Sequence, residues 1–132
     1  MRLCSIVSAG LVLCFAHAPS WGETKVEKVE YKGWKNNLKL SNGTVELIAT
    51  LDVGPRVIRY AFVGGDNVLK EYADQLGKSG EKDWQIRGGH RLWHAPEAQP
   101  HTYFPDNAPV DFKDLGGGAV RLIAPQIGRA HV

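Results

Sequence analysis

Lys35–Leu51 reads KNNLKLSNGTVELIATL, and this stretch decides the fold. Two runs of strand-forming residues, Lys35–Leu40 and Thr44–Leu51, flank Ser41-Asn42-Gly43, which is the pattern of a β-hairpin. Asn-Gly suits a tight turn that takes φ > 0 at both central positions. In the second run Val45, Leu47, Ala49 and Leu51 fall on one face at period two. Asn42-Gly43-Thr44 is also a glycosylation sequon, but the turn accounts for the same residues without a sugar.

Working outward, the same signals recur on both sides. Upstream, Thr24–Lys32 alternates Val26, Val29 and Tyr31 with charges in a ragged period, as an edge strand would, and Gly33-Trp34 breaks it. Downstream, Asp52-Val53-Gly54-Pro55 is a break before the strand Arg56–Val63. Neither face of that strand (Arg56/Ile58/Tyr60/Phe62 or Val57/Arg59/Ala61/Val63) is purely polar, which fits a central strand covered on both sides or facing a cleft. Gly64–Asn67 turns the chain into Val68–Tyr72, and the polar, glycine-broken Ala73–Asp83 reads as a mobile loop. After a turn at Pro105–Pro109 come a short strand at Val110–Phe112, a turn at Asp114–Gly118 and a strand from Ala119 to Ala124. No stretch sustains a 3.6-residue apolar period, so the expectation is an all-β sandwich or barrel.

At 132 residues the chain has room for one domain. Residues 1–22 read as a signal peptide: Arg2, an apolar run Ile6–Ala16 and a small-x-small site at Ala16-His17-Ala18, with cleavage after Ala18 or Gly22. The run is too short to span a membrane. The protein is therefore expected outside the cytoplasm, periplasmic or secreted. Cys4 and Cys14 are the only cysteines, and both lie in that leader, which excludes a disulfide framework and cysteine chemistry in residues 23–125. Setting aside Arg2 and Arg129 leaves basic and acidic residues equal in number, so the charge makes no case for nucleic acid or an anionic membrane. The ending Ile127–Val132, IGRAHV, is what ATC GGA AGA GCA CAC GTC encodes, a string that resembles a sequencing-library adapter. Residues 126–132 are accordingly expected to be an artefact, and Arg129 and His131 are left out of the site.

Chemistry concentrates in Trp84–Asn107, WQIRGGHRLWHAPEAQPHTYFPDN, with three of the five histidines and two of the four tryptophans. His90 and His94, four apart, with Glu97 and His101 would suit a divalent ion, but Pro96 interrupts the arrangement and the spacing fits no standard site. No metal and no cofactor are expected. His90 or His94 with Glu97 has the composition of a proton-transfer pair; alternatively Glu97 pairs with Arg91 or Arg87 and only holds the loop. Sugars are bound by planar polar groups and by aromatic rings against C–H faces. Arg87, His90, Arg91, Trp93, His94, Glu97 and Tyr103, with Trp84, supply that mix, and Gly88-Gly89 would let backbone approach a ligand or bend a strand. There is no phosphate-binding glycine loop and no serine nucleophile elbow.

Leu51–Asn67, LDVGPRVIRYAFVGGDN, and the GGHRLWHAPE core of Trp84–Asn107 resemble an uncharacterised exported bacterial family (domain of unknown function 4380). That family belongs to the galactose-mutarotase-like proteins, relatives of the aldose 1-epimerases. Arg87-Gly88-Gly89 also echoes the R-G-G-I-P-x-x-W-P pattern of hexose-phosphate epimerase relatives, with His90 and Arg91 replacing Ile and Pro. The resemblance implies the N-terminal part of an antiparallel β-supersandwich and a carbohydrate partner. It implies epimerase-like activity only for a longer chain, since the histidine acid and glutamate base of those enzymes lie farther along; neither role passes to His94 or Glu97, and the catalytic residues stay unknown. Two other functions remain in view: a non-catalytic cell-envelope module, and a metal-dependent hydrolase.

Overall fold

The computed structural model describes residues 22–91, 95–99, 102–103 and 106–124. Among these residues six strands form, β1 (Lys25–Tyr31), β2 (Trp34–Ser41), β3 (Val45–Thr50), β4 (Arg56–Phe62), β5 (Asp111–Gly116) and β6 (Ala119–Ile123). They make two antiparallel sheets, one of order β1-β2-β3-β4 and one of β5-β6. The protein is all-β: among the described residues none is helical, so none of them forms a helix long and apolar enough to cross a membrane. Of the expected leader only Gly22 is described, and 126–132 lie outside the described residues.

Two turns set the first three strands. Lys32 and Gly33 both take positive φ, 49° and 93°, between the paired residues Tyr31 and Trp34. This is a two-residue turn with left-handed backbone at both positions, and it extends β2 back to Trp34, which the sequence assigned to a break. Asn42-Gly43 differs from expectation in the opposite sense. Only Gly43 is left-handed, at φ 85°. Asn42 instead accepts hydrogen bonds on its side-chain oxygen from the Thr44 and Val45 N–H groups at 3.0 and 2.9 Å. The carboxamide does the turning that a second positive φ would have done.

β3 does not bury a single face. Ala49 and Leu51 are buried and Val45 and Leu47 half-buried, yet Ile48, on the opposite face, joins Trp34, Val53 and Ile58 in the core cluster. A bulge accounts for part of this: Ile48 pairs with Arg59 and Ala49 with Val57, leaving Ile58 as the extra residue. Val29, Tyr31 and Leu76 pack against that cluster.

Leu76 belongs to the Ala73–Asp83 segment, which is docked rather than loose. Trp34 donates its indole N–H to the Lys78 carbonyl at 3.0 Å. A Cβ on Gly77 would lie 2.9 Å from Gly33 Cα, so the loop settles onto the β1–β2 turn through a glycine–glycine contact. Polar composition misleads here because much of the attachment runs through the Lys78 carbonyl and the Gly77 backbone.

β4 is the last strand of its sheet rather than a central one, but its outer edge is occupied. Val57 and His90 exchange hydrogen bonds at 2.8 and 2.7 Å, and Val68 donates to the Tyr60 carbonyl at 3.0 Å. Between them the Asn67 carboxamide accepts from Tyr60 N–H and donates to the Ile58 carbonyl, standing in for a strand residue. Val68–Tyr72 forms no strand, only a single bridge between Glu71 and Gly88. β5 runs on to Gly116, into the expected turn at Asp114–Gly118, and pairs there with β6.

Trp34, 2% exposed, carries both packing and the Lys78 bond. Trp34→Ala is expected to destabilise the protein by about 3–5 kcal/mol, and Trp34→Phe by about 1 kcal/mol through the lost hydrogen bond. Urea titration of the two variants measures both.

Candidate functional site

Arg87, Gly88 and Gly89 are three consecutive left-handed residues, with φ of 50°, 75° and 66°. The reason for the glycines is space. A Cβ on Gly88 would fall 2.1 Å from the Lys70 carbonyl oxygen, and one on Gly89 would fall 2.3 Å from that of Val57. The chain threads between β4 and the Lys70 segment, with Gly89 N–H donating to the Lys70 carbonyl at 2.9 Å. The glycines thus admit close backbone approach, and what approaches is the protein's own backbone.

Arg87 is not a glycine, so its φ needs support from its surroundings. Its N–H donates to Gln75 Oε1 at 2.6 Å. Its guanidinium, fully buried, donates to the Lys78 carbonyl at 2.6 Å, to Asn107 Oδ1 at 2.8 Å and to Glu81. Asn107 in turn donates to the carbonyls of Glu81 and Asp83 at 2.8 and 2.7 Å. Arg87 therefore stands behind the site and pins the 78–83 loop.

A second guanidinium fixes the same turn from the other side. Arg56 donates to the carbonyls of Ile86 and Gly88 at 2.8 and 2.5 Å, the two residues flanking Arg87, and to Asp106 at 3.0 Å. Burial works against its charge, and Asp106 counters that. Asp106 also faces Arg91, with Nη1 to Oδ2 at 3.3 Å, so one carboxylate serves two guanidiniums. Arg91 further donates to the Thr102 carbonyl and lies over the Trp84 ring, 5.7 Å from its centroid. Trp84 meets Tyr103 edge-on at 5.4 Å.

These supports enclose a cavity of about 210 Å³ lined by Arg56, Lys70, Tyr72, Trp84, Ile86, Gly88, Gly89, His90 and Arg91. That is below the roughly 300–1,000 Å³ of pockets for drug-sized ligands, and suits one small polar molecule. Of the residues expected to bind, His90 and Arg91 are on this wall. Arg87 is not. Glu97 accepts from the Tyr103 hydroxyl, which holds the phenol's pKa up, and this pair adjoins the cavity through Trp84. Glu97 pairs neither with Arg87 nor with Arg91 among the ion pairs of the described residues. Trp93 and His94 lie outside the described residues, as does His101. Among the described residues no three His, Cys, Asp or Glu side chains come together as a metal would require.

Arg56, Lys70, Tyr72 and Asp106 escaped the reading of the sequence. Signals existed for three of them. Arg56 shares its strand face with Ile58, and an arginine in that position has to find buried partners. Lys70 and Tyr72 share one parity in the segment that follows the Gly64–Asn67 turn. The chain matches no family model, no curated protein and no solved structure.

Asp106→Ala would leave two buried guanidiniums uncompensated and is expected to cost about 3–5 kcal/mol. Glu27→Gln, which removes the exposed Lys39–Glu27 pair at 3.1 Å, should change stability by less than about 1 kcal/mol. Chemical denaturation of the two variants separates these outcomes.

Acid should weaken the same framework. Burial raises the Glu81 and Glu71 pKa values, but hydrogen bonds outweigh it, from Arg87 to Glu81 and from Tyr31, Asn67 and Lys32 to Glu71, so both end below the ordinary glutamate value. Each contributes stability that is fully present above the unfolded-state pKa, about 4.3, and is lost as pH falls through the lowered folded value. Stability measured against pH should decline in that window, and Glu81→Gln should make the decline shallower.

Proposed function

We propose that this protein is an exported carbohydrate-binding protein whose site is the cavity beneath Trp84, His90 and Arg91. One observation carries the reading: an aromatic ring, a second ring at Tyr72, two guanidiniums and an imidazole converge on a space the size of one small polar ligand. Rings supply apolar faces for sugar C–H groups, and forked donors supply the hydroxyl contacts. The walls are held in place before any ligand arrives, because Arg56 and Arg91 are already fixed through Asp106. The resemblance of Leu51–Asn67 and of the GGHRLWHAPE core to a mutarotase-like family supports the same reading, as does a leader-like N-terminus. Ring opening by an epimerase would need an acid and a base at the sugar. His90 is one titratable group at the wall, and Glu97 is engaged by Tyr103, so binding is the activity assigned here.

A second reading, a non-catalytic module of the cell envelope, is favoured by one observation, the engagement of both terminal nitrogens of the buried Arg87 guanidinium by its own protein. It differs in requiring no ligand in the cavity.

Titration against a panel of monosaccharides and short glycans decides between them. At least one sugar should bind, and His90→Ala should weaken it by about tenfold, the loss of one hydrogen-bonding side chain. The His90 side chain is exposed and its backbone is held by Val57, so the fold should survive the change. No binding across the panel would overturn the proposal.

A further inference from the structure

The cavity wall is charged in one sense. Arg56, Lys70 and Arg91 contribute three permanent cations, and none of the lining residues is a carboxylate. Behind the wall the single carboxylate of Asp106 is shared by Arg56 and Arg91. Lys70 makes no ion pair among the described residues; its ammonium lies 5.4 Å from the centroid of the Tyr72 ring. Of the acids in the surrounding segments, Glu71 is held by Lys32 and Tyr31, Glu81 by Arg87 and Glu97 by Tyr103, and neither Asp74 nor Asp83 lines the cavity. Arg56 also keeps a buried Nε–H that donates to nothing among the described residues. A neutral sugar would leave this excess positive charge uncompensated in a partly desolvated space.

We infer that the sugar taken by this cavity is an acidic one, a monosaccharide carrying a carboxylate of the uronic acid class, with Lys70 as the residue that selects for the charge. The inference rests on the carbohydrate-binding reading above. A carboxylate would lie against the positive charge of the arginine wall, whose terminal nitrogens already hold Asp106 and peptide carbonyls, with the exposed ammonium of Lys70 as its direct partner. Trp84 and Tyr72 would then meet the ring's C–H faces. Lys70 is suited to selection rather than to architecture. Its side chain is exposed, while its backbone carbonyl alone anchors Gly89.

The probes are D-glucuronate, its uncharged isostere D-glucuronamide, and D-glucose, titrated into the full chain and followed calorimetrically. Glucuronate should bind about tenfold tighter than glucuronamide, as one added charge-assisted contact allows. That advantage should shrink as ionic strength rises from about 0.01 M to about 1 M, where the Debye length falls from about 30 to about 3 Å. Lys70→Met, which keeps the stem and removes the charge, should lower glucuronate affinity by at least about fivefold and glucuronamide affinity by distinctly less. Equal binding of glucuronate and glucuronamide would overturn the inference while leaving the carbohydrate reading intact. So would a Lys70→Met variant that weakens both probes alike. Failure of all three probes, together with the wider panel, would overturn both.

Discussion

Close passage of backbone past backbone at Arg87-Gly88-Gly89 is the constraint on which the rest of the molecule turns. With carbonyl oxygens of Lys70 and Val57 where side chains would otherwise begin, the two glycines admit no substitute. The threading they permit places His90 against β4 and Ile86 over the Arg56 guanidinium. It also sets Arg91 where it can reach Asp106. Remove the passage and the cavity loses its floor, because Gly88 and Gly89 themselves line it.

Around that passage the protein invests in buried charge. Arg56 and Arg87 are almost inaccessible; Arg56 donates to the carbonyls of Ile86 and Gly88, and Arg87 to the carbonyl of Lys78 and the side chains of Asn107 and Glu81. Such a network need not add net stability relative to an apolar core. What it does is hold irregular chain in one conformation where neither a ladder nor hydrophobic contact would. The cluster of Trp34, Ile48, Val53 and Ile58 anchors the sheet; the guanidiniums anchor the loops that leave it.

Local patterns were legible in the sequence in proportion to how local their causes are. The Lys35–Leu51 hairpin was visible because alternation and a turn dipeptide lie within a few residues of each other. The Lys32-Gly33 turn was not, because Lys32 is a poor advertisement for positive φ and gains that conformation from the pairing of Tyr31 with Trp34. Ala73–Asp83 looked loose since its attachments run through the carbonyl of Lys78 and the bare backbone of Gly77, which composition does not reveal. In the site, His90 and Arg91 stood out by residue type, whereas Arg87, equal to them in type, turned inward. Its fate depended on Asn107 and Glu81, brought to it from twenty and six residues away. Arg56, on β4, and Lys70, through the bond of its carbonyl to Gly89, joined the wall from outside the conspicuous stretch by contacts that only the fold brings about.

The occupied margin of β4 has a consequence beyond the site it borders. A terminal strand with free peptide groups is a template on which another molecule can add a strand of its own. Here the Val57 amide and carbonyl are both taken by His90, the Ile58 carbonyl by Asn67, and both peptide groups of Tyr60 by Asn67 and Val68. At the opposite margin β1 carries Lys25, Glu27, Lys28 and Glu30, whose charges discourage stacking. The residues that shape one wall of a small cavity thereby also guard the sheet against growing into its neighbours at high concentration.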